Sequence, residues 1–305
     1  MSHSIVIVAL APGDDVDDRL AAALAPFDEN AEVEPYRDYV EGEPAKHYSW
    51  DENPEIPEPT WAQVAEAYNA KYASDEGPML IDEQAGRAYT MSTYNPRSKW
   101  DWYQIGGRWT GYFRVRPEWI GDKALIGGRP GTMTEPDRDR EKCDGAPKRM
   151  LDFEAMRDWA EVDEGVKWKA FHAIADQYPD TRSWAWHVER VRDESDPMTI
   201  DAARDAYHAQ PGVVALRETD FRWSDDPYRE FAVDLATCQA NARRDAVPGW
   251  ALLTLDGAWR EKGHMGWFGM HDATDDSTAA YKTWANEYLE SLDDDTLIVA
   301  VDVHI

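Results

Sequence analysis

Ile5–Leu10, IVIVAL, is a run of β-branched and aliphatic residues closed by Pro12-Gly13, and Asp14 to Asp18 then lead into the apolar spacing Leu20, Leu24, Phe27. A run of that kind predicts a buried strand, and acidic residues ahead of a helical period predict a helix start. The C-terminal end repeats this grammar. Trp250 to Leu255 reads as a strand ended by Asp256-Gly257, Ser277 as the cap of a helix carrying Tyr281, Trp284, Tyr288 and Leu292, and Leu297 to Ile305 as a final strand. Strand, turn and helix at both ends of a chain point to one sheet shared by the two termini.

Working inward, Pro44 to Pro59 is rich in Pro and Glu and reads as a surface loop, after which Thr60-x-x-Gln63 forms a capping box ahead of Trp61, Val64, Ala65, Tyr68 and Tyr72. Met79 to Asp82 and Ala88 to Thr93 flank a turn at Gln84 to Gly86, and Trp109 to Val115 follows a Gly-Gly pair, so the centre reads as an antiparallel meander. Gly127 to Lys148 is a tract of Gly, Pro and charge, expected to be a loop or hinge. Beyond it the period turns helical, through Phe153, Met156, Trp159, Ala160, Val166, Ala170, Phe171 and Ile174, with shorter helices at Thr199 to Ala209 and Tyr228 to Ala242. The expected class is α+β, with a mostly antiparallel sheet. Residues 1–126 and 245–305 would form the core, 127–150 the hinge and 151–244 a helical insertion packed on the core. A ferredoxin-like β-α-β-β-α-β order fits, and so does a sheet of different strand order.

The 305 residues are 43% hydrophobic and include 15 Trp, enough to fill a real core. Sixty acidic against 32 basic residues leave a net charge of −28, so the mean surface potential repels polyphosphate and direct nucleic-acid binding is not expected. The acidic excess suits a solvated surface, a high-salt proteome, or mimicry of phosphates toward a basic enzyme. Cys143 and Cys238 form neither a CxxC pair nor a disulfide framework, which makes a reducing cytoplasm the expected compartment. MSHSIVIVALAPGDD has no basic region and no small-residue cleavage site, so neither a signal peptide nor a membrane anchor is expected.

Three segments carry unusual chemistry. In Asn95 to Phe113, NPRSKWDWYQIGGRWTGYF, an extended backbone would put Trp100, Trp102 and Gln104 on one face and Asp101, Tyr103 and Ile105 on the other. Lys99, Trp100, Asp101, Tyr103 and Trp109 are therefore candidates for binding a planar ligand, with Arg108 as an anion donor beside the Gly106-Gly107 turn. The competing reading is buried indoles with Asp101 and Arg108 as an internal ion pair. GHMGWFGMHD, residues 263–272, reads as an aromatic loop able to act as a lid, with His264, Trp267 and His271 as ligand contacts. Asp302 and His304 stand two apart on the last strand and share a face. They suit a carboxylate-oriented imidazole base, half of a metal site completed by His264, His271 or Asp272, or an end-of-strand hydrogen-bonded pair. Cys143, in a charged context, is a weaker nucleophile candidate because no His or Asn is paired with it by any signature. Serine hydrolase, P-loop, Rossmann, kinase and zincin fingerprints are missing, and no pattern assigns a cofactor or a resident metal.

Through SKWDWYQIGGRWTGYF, ALLTLDGAWREKGHMGWFGM and the terminal VDVHI, the chain resembles, nearly end to end, an uncharacterised protein family of actinobacterial tailed phages and related prophages. That family has no established activity. The resemblance implies a phage-encoded protein of the host cytoplasm and transfers no catalytic residues. The expected function is therefore an accessory protein that binds a small planar or polar ligand, or a host partner, in an aromatic cleft. If it is an enzyme, His304 is the base, Asp302 orients it and Arg108 donates to an anion. Alternatives are an acidic protein that blocks a basic host enzyme, and a particle or assembly component.

Overall fold

The computed structural model describes residues 3–48, 59–127, 129–130, 141–192, 198–219, 226–264 and 271–304. From the N-terminus the elements are β1 (His3–Leu10), α1 (Val16–Leu24), β2 (Tyr36–Tyr39), α2 (Pro44–Tyr48), α3 (Trp61–Glu76), β3 (Leu80–Asp82) and β4 (Arg87–Ser92). The middle supplies β5 (Trp102–Gly107), β6 (Phe113–Arg114), β7 (Arg129–Pro130), β8 (Lys142–Cys143) and β9 (Gly145–Pro147). Helices α4 (Phe153–Ala175), α5 (Trp184–Val191), α6 (Ile200–His208), α7 (Pro211–Arg217), α8 (Pro227–Glu230) and α9 (Leu235–Asp245) follow. The chain closes with β10 (Ala251–Leu253), β11 (Trp259–Glu261), α10 (Asp275–Ser291) and β12 (Leu297–His304). The fold is α+β.

One compact unit comprises Met1–Leu20 and Tyr103–Ile305, and a second comprises Ala21–Trp102. In the first, the sheet order is β11-β10-β1-β12-β5-β7, with β9 also on β12. The two termini thus form the central pair: β1 runs antiparallel to β12 over its whole length, from His3 opposite His304 to Leu10 opposite Leu297. Ile7, Val6, Val8, Ile298, Val299, Ala300 and Val301 are fully buried, as expected of strands enclosed on both faces. Beside β1, β10 is parallel, so this strand order is the alternative to a ferredoxin-like one. The sheet face bearing Ile7, Ala9 and Ala300 packs with Tyr281, Ala285 and Leu289 of α10 and with Phe113 and Phe153.

α10 is capped by Thr274 rather than Ser277. The Thr274 hydroxyl accepts from the Ser277 N–H at 3.0 Å, and Ser277 Oγ accepts from the Thr274 N–H at 2.9 Å. Ser277 fills the third helical position of a capping box usually held by Glu or Gln. Residues 141–150, expected within the hinge, instead form β8, β9 and a 3-10 turn, with Cys143, Asp144, Gly145 and Ala146 buried. Burial pushes the Cys143 thiol up to about 12 and that of Cys238 to about 11. The reactive thiolate is therefore almost absent at neutral pH. Both cysteines should resist iodoacetamide at pH 7.5 in the native protein and alkylate after denaturation; rapid native alkylation of Cys143 would contradict this packing.

Between Phe153 and Asp245 the described residues form helices and connecting turns. Phe171, Ala175, Leu216, Phe231 and Cys238 make their core. The apolar period of α4 has two faces, however: Trp159, Val162 and Val166 are 59%, 65% and 62% exposed.

In the second unit β2, β4 and β3 form a sheet of their own, all antiparallel. The strands at 80–82 and 87–92 pair antiparallel around the expected turn, in a sheet separate from the terminal one. They are covered by α3, whose Val64 and Ala65 cluster with Met79 and Ala88, while both side-chain atoms of Asn69 hold the Met79 backbone at 2.9 and 2.7 Å. The Thr60 and Gln63 capping box of α3 forms as expected. The expected loop at 44–59 begins as the short helix α2, and 49–58 lie outside the described residues.

Candidate functional site

β1 begins, and β12 ends, on the same edge of the central pair, with His3 opposite His304 and Ile5 opposite Asp302. Directly opposed residues of antiparallel strands share a face, so His3, Asp302 and His304 stand together at the end of the sheet. The Asp302 side chain is 1% exposed and both of its oxygens are engaged. Oδ1 meets His3 Nδ1 at 2.8 Å, and Oδ2 accepts the Arg108 backbone N–H at 3.0 Å. An ionised carboxylate can only accept, so the His3 ring beside it carries a proton at Nδ1, and the contact fixes the ring's orientation.

This corrects the expected pairing. Asp302 and His304, two apart on one strand, stand side by side about 7 Å apart along it. The carboxylate turns across the strand pair to His3 instead, and the His304 ring meets His3 edge-on, at 5.1 Å between centroids and 68° between planes. His3 was missed in the sequence, although the signal was present: His3, Ile5 and Ile7 alternate with Ser4 and Val6, and pairing the first strand antiparallel to the last brings the two end histidines opposite each other.

The Arg108 amide belongs to a loop that β5 feeds. Gly106 and Gly107 have φ of 74° and 54°, and the Trp109 N–H donates back to the Gly106 carbonyl at 3.0 Å. A Cβ on Gly107 would lie 2.4 Å from Asp302 Oδ2, so only glycine fits there. The far shoulder of the loop is held by a second carboxylate. Asp144, also 1% exposed, accepts the Gly111 and Tyr112 N–H groups on Oδ1 at 2.7 and 3.2 Å and the Thr110 hydroxyl on Oδ2 at 3.0 Å. Its carbonyl accepts from the Ala300 N–H of β12 at 2.7 Å, which fixes this second clamp to the same strand as the first. Beyond it, Tyr112 donates its hydroxyl to the Val247 carbonyl at 2.9 Å and Phe113 enters the core. Residues 106–112 are therefore gripped by buried carboxylates on both sides, with Arg108 exposed and Trp109 half-buried at the tip. Hydrogen bonds to ionised groups are the stronger ones, and here they fix the loop that leaves β5 at Gly107.

The other expected contacts divide. Tyr103 lies on β5, half-buried, and burial, with the Asp17 charge adding, raises its phenol above the ordinary value. Lys99, Trp100 and Asp101 belong to the second unit: Trp100 is 8% exposed and its indole donates to the Leu24 carbonyl at 3.1 Å, while the backbones of Lys99 and Asp101 are tied there, the Lys99 N–H donating to Phe27 and the Asp101 carbonyl accepting from Asn30. Trp100 and Trp102 do not make a shared platform, since one is buried and the other 44% exposed. His271 packs its ring on Trp250 at 5.1 Å, and the Trp250 N–H donates to Ile5 at 2.8 Å. That places Trp250 two strand spacings, about 10 Å, from Asp302. His264 has its N–H on Asp272 at 2.7 Å and its ring 3.7 Å from Glu261. Trp267, with the rest of the expected lid at 265–270, lies outside the described residues. Among the described residues no three His, Cys, Asp or Glu side chains are placed to hold a metal ion, and no helix is long and apolar enough to cross a membrane.

Comparison with protein-family models, with curated proteins and with solved structures gives no match for this chain.

Proposed function

We propose that the chain is a phage-encoded accessory protein of the host cytoplasm that binds a small planar, polar ligand at the 106–112 loop. Arg108 and Trp109 make the contact, and His3 is the proton-handling group, oriented by Asp302. The observation that carries this reading is the doubly engaged Asp302 carboxylate, which joins the imidazole at one terminus to the loop amide in the middle of the chain. Burying two carboxylates is costly unless they are fully hydrogen-bonded. Spending both on one surface loop supplies the preorganisation that binding sites need, because a loop already held in place loses little entropy when a ligand arrives. An exposed guanidinium beside an indole suits a flat ring that carries a carboxylate or phosphate.

The test is a thermal-shift and calorimetric panel of nucleoside monophosphates and aromatic carboxylates, preceded by native mass spectrometry for a retained molecule. A member of the panel should bind, and R108A and W109A, both altered at the loop tip, should each weaken it at least tenfold while leaving the melting temperature of the free protein within a few degrees. Failure of the whole panel, or binding that both variants leave unchanged, would remove the proposal.

A further inference from the structure

A groove of 1410 Å³ lies far along the chain from the clamped loop, between α4, α9, the α8 turn and the start of α10. Its apolar floor includes Trp159 and Val166, and with Val162 these form the exposed stripe of α4 at spacings of three and four residues. Trp159 to Ile174, both lining it, span about 22 Å of helix, or four turns. The lining also carries seven carboxylates against three basic groups. Those basic groups are already spoken for: Lys167 is held by Asp163 and Glu164 at 2.8 and 3.2 Å, Arg244 by Asp245 at 2.8 Å, and Arg229 by Asp275. The groove therefore presents an apolar strip within a net-negative rim.

We infer that this groove docks a basic amphipathic helix of a partner protein. Its length matches a helix of four turns, its stripe matches residues recurring every three or four positions, and its rim matches Lys and Arg on the flanks of such a helix. A polyanion is repelled by that rim, and a second copy of a chain of net charge −28 would bring like charge to it. The docking site is independent of the 106–112 loop, so either assignment can fail without the other.

The test is selection of helix-forming peptides from a random 16-residue display library against the full chain, followed by fluorescence anisotropy of the winners. Enriched peptides should be net positive with apolar residues at three-to-four spacing, and their Kd should rise at least tenfold in a W159E/V166E variant. Both of those side chains are exposed, so circular dichroism should show the variant folded. D276K, on the rim, should slow association several-fold, and raising salt should weaken binding. The inference is overturned if no peptide is enriched, if the winners lack positive charge or helical period, or if W159E/V166E binds them as the parent does.

Discussion

Replacing Asp302 with alanine is expected to lower the free energy of unfolding by about 3 kcal/mol, read as a lower urea midpoint at unchanged slope. The deletion strips the Arg108 N–H of its acceptor at 3.0 Å and His3 of its partner at 2.8 Å, in a site where the carboxylate itself is 1% exposed. Both donors left behind are partly buried, so each orphaning falls toward the lower end of roughly 1–3 kcal/mol, and loss of the charged acceptor adds to that. Asp302→Asn should be much milder, by about 1 kcal/mol, because its carbonyl still accepts from Arg108 and its amide can donate to His3 once the imidazole proton moves to Nε2. The two variants therefore separate hydrogen bonding from charge. A D302A protein within 1 kcal/mol of the parent would mean that the clamp holds nothing.

Gly107→Ala should be comparably damaging, about 3 kcal/mol or more, for two reasons that can be told apart. The backbone sits at φ 54°, where an L residue is strained by about 1 kcal/mol, and the new methyl would stand 2.4 Å from Asp302 Oδ2 and 2.5 Å from its Cβ. Gly86 supplies the control. Its φ is 65° but nothing lies within 4 Å of its would-be Cβ, so Gly86→Ala should cost only the dihedral part, about 1 kcal/mol. In a D302G background, which removes the Cβ at 2.5 Å together with the carboxylate, the space beside Gly107 is vacated, and the penalty for G107A should fall toward the Gly86 value. Equal penalties in both backgrounds would show that the close approach to Asp302 is not what forbids a side chain there.

What could be read from the sequence was local. β1 and β12 announce themselves as β-branched runs, and the α3 cap rests on two residues three apart, so backbone chemistry alone predicts each. The partnership of His3 with Asp302 depends on register between strands 299 positions apart, and no local pattern states it, although alternation along each strand would have narrowed the choice. Asp144 gave even less warning: its role rests on the path that Gly106, Gly107 and Gly111 impose on a loop more than thirty residues earlier, with positive φ at all three. The same glycines explain why the strand expected at 109–115 shrinks to Phe113–Arg114. Trp100 and Trp102 share a face in an ideal strand, yet only Trp100 is enclosed, because burial depends on what packs above each ring and alternation does not encode that. On α4, apolar spacing predicts a helix but does not say which face is covered: Phe171 and Ala175 turn inward and Trp159 and Val166 turn out.

Residue-resolved amide hydrogen exchange tests the double clamp most directly. Arg108 and Gly111 lie in a surface loop, where amides ordinarily exchange at close to their intrinsic rates, but each donates to a carboxylate that is 1% exposed. Both amides should be protected to nearly the degree of the β12 amides, and Arg108 alone should lose that protection in D302A. Free exchange of Arg108 and Gly111 in the parent protein would contradict the account.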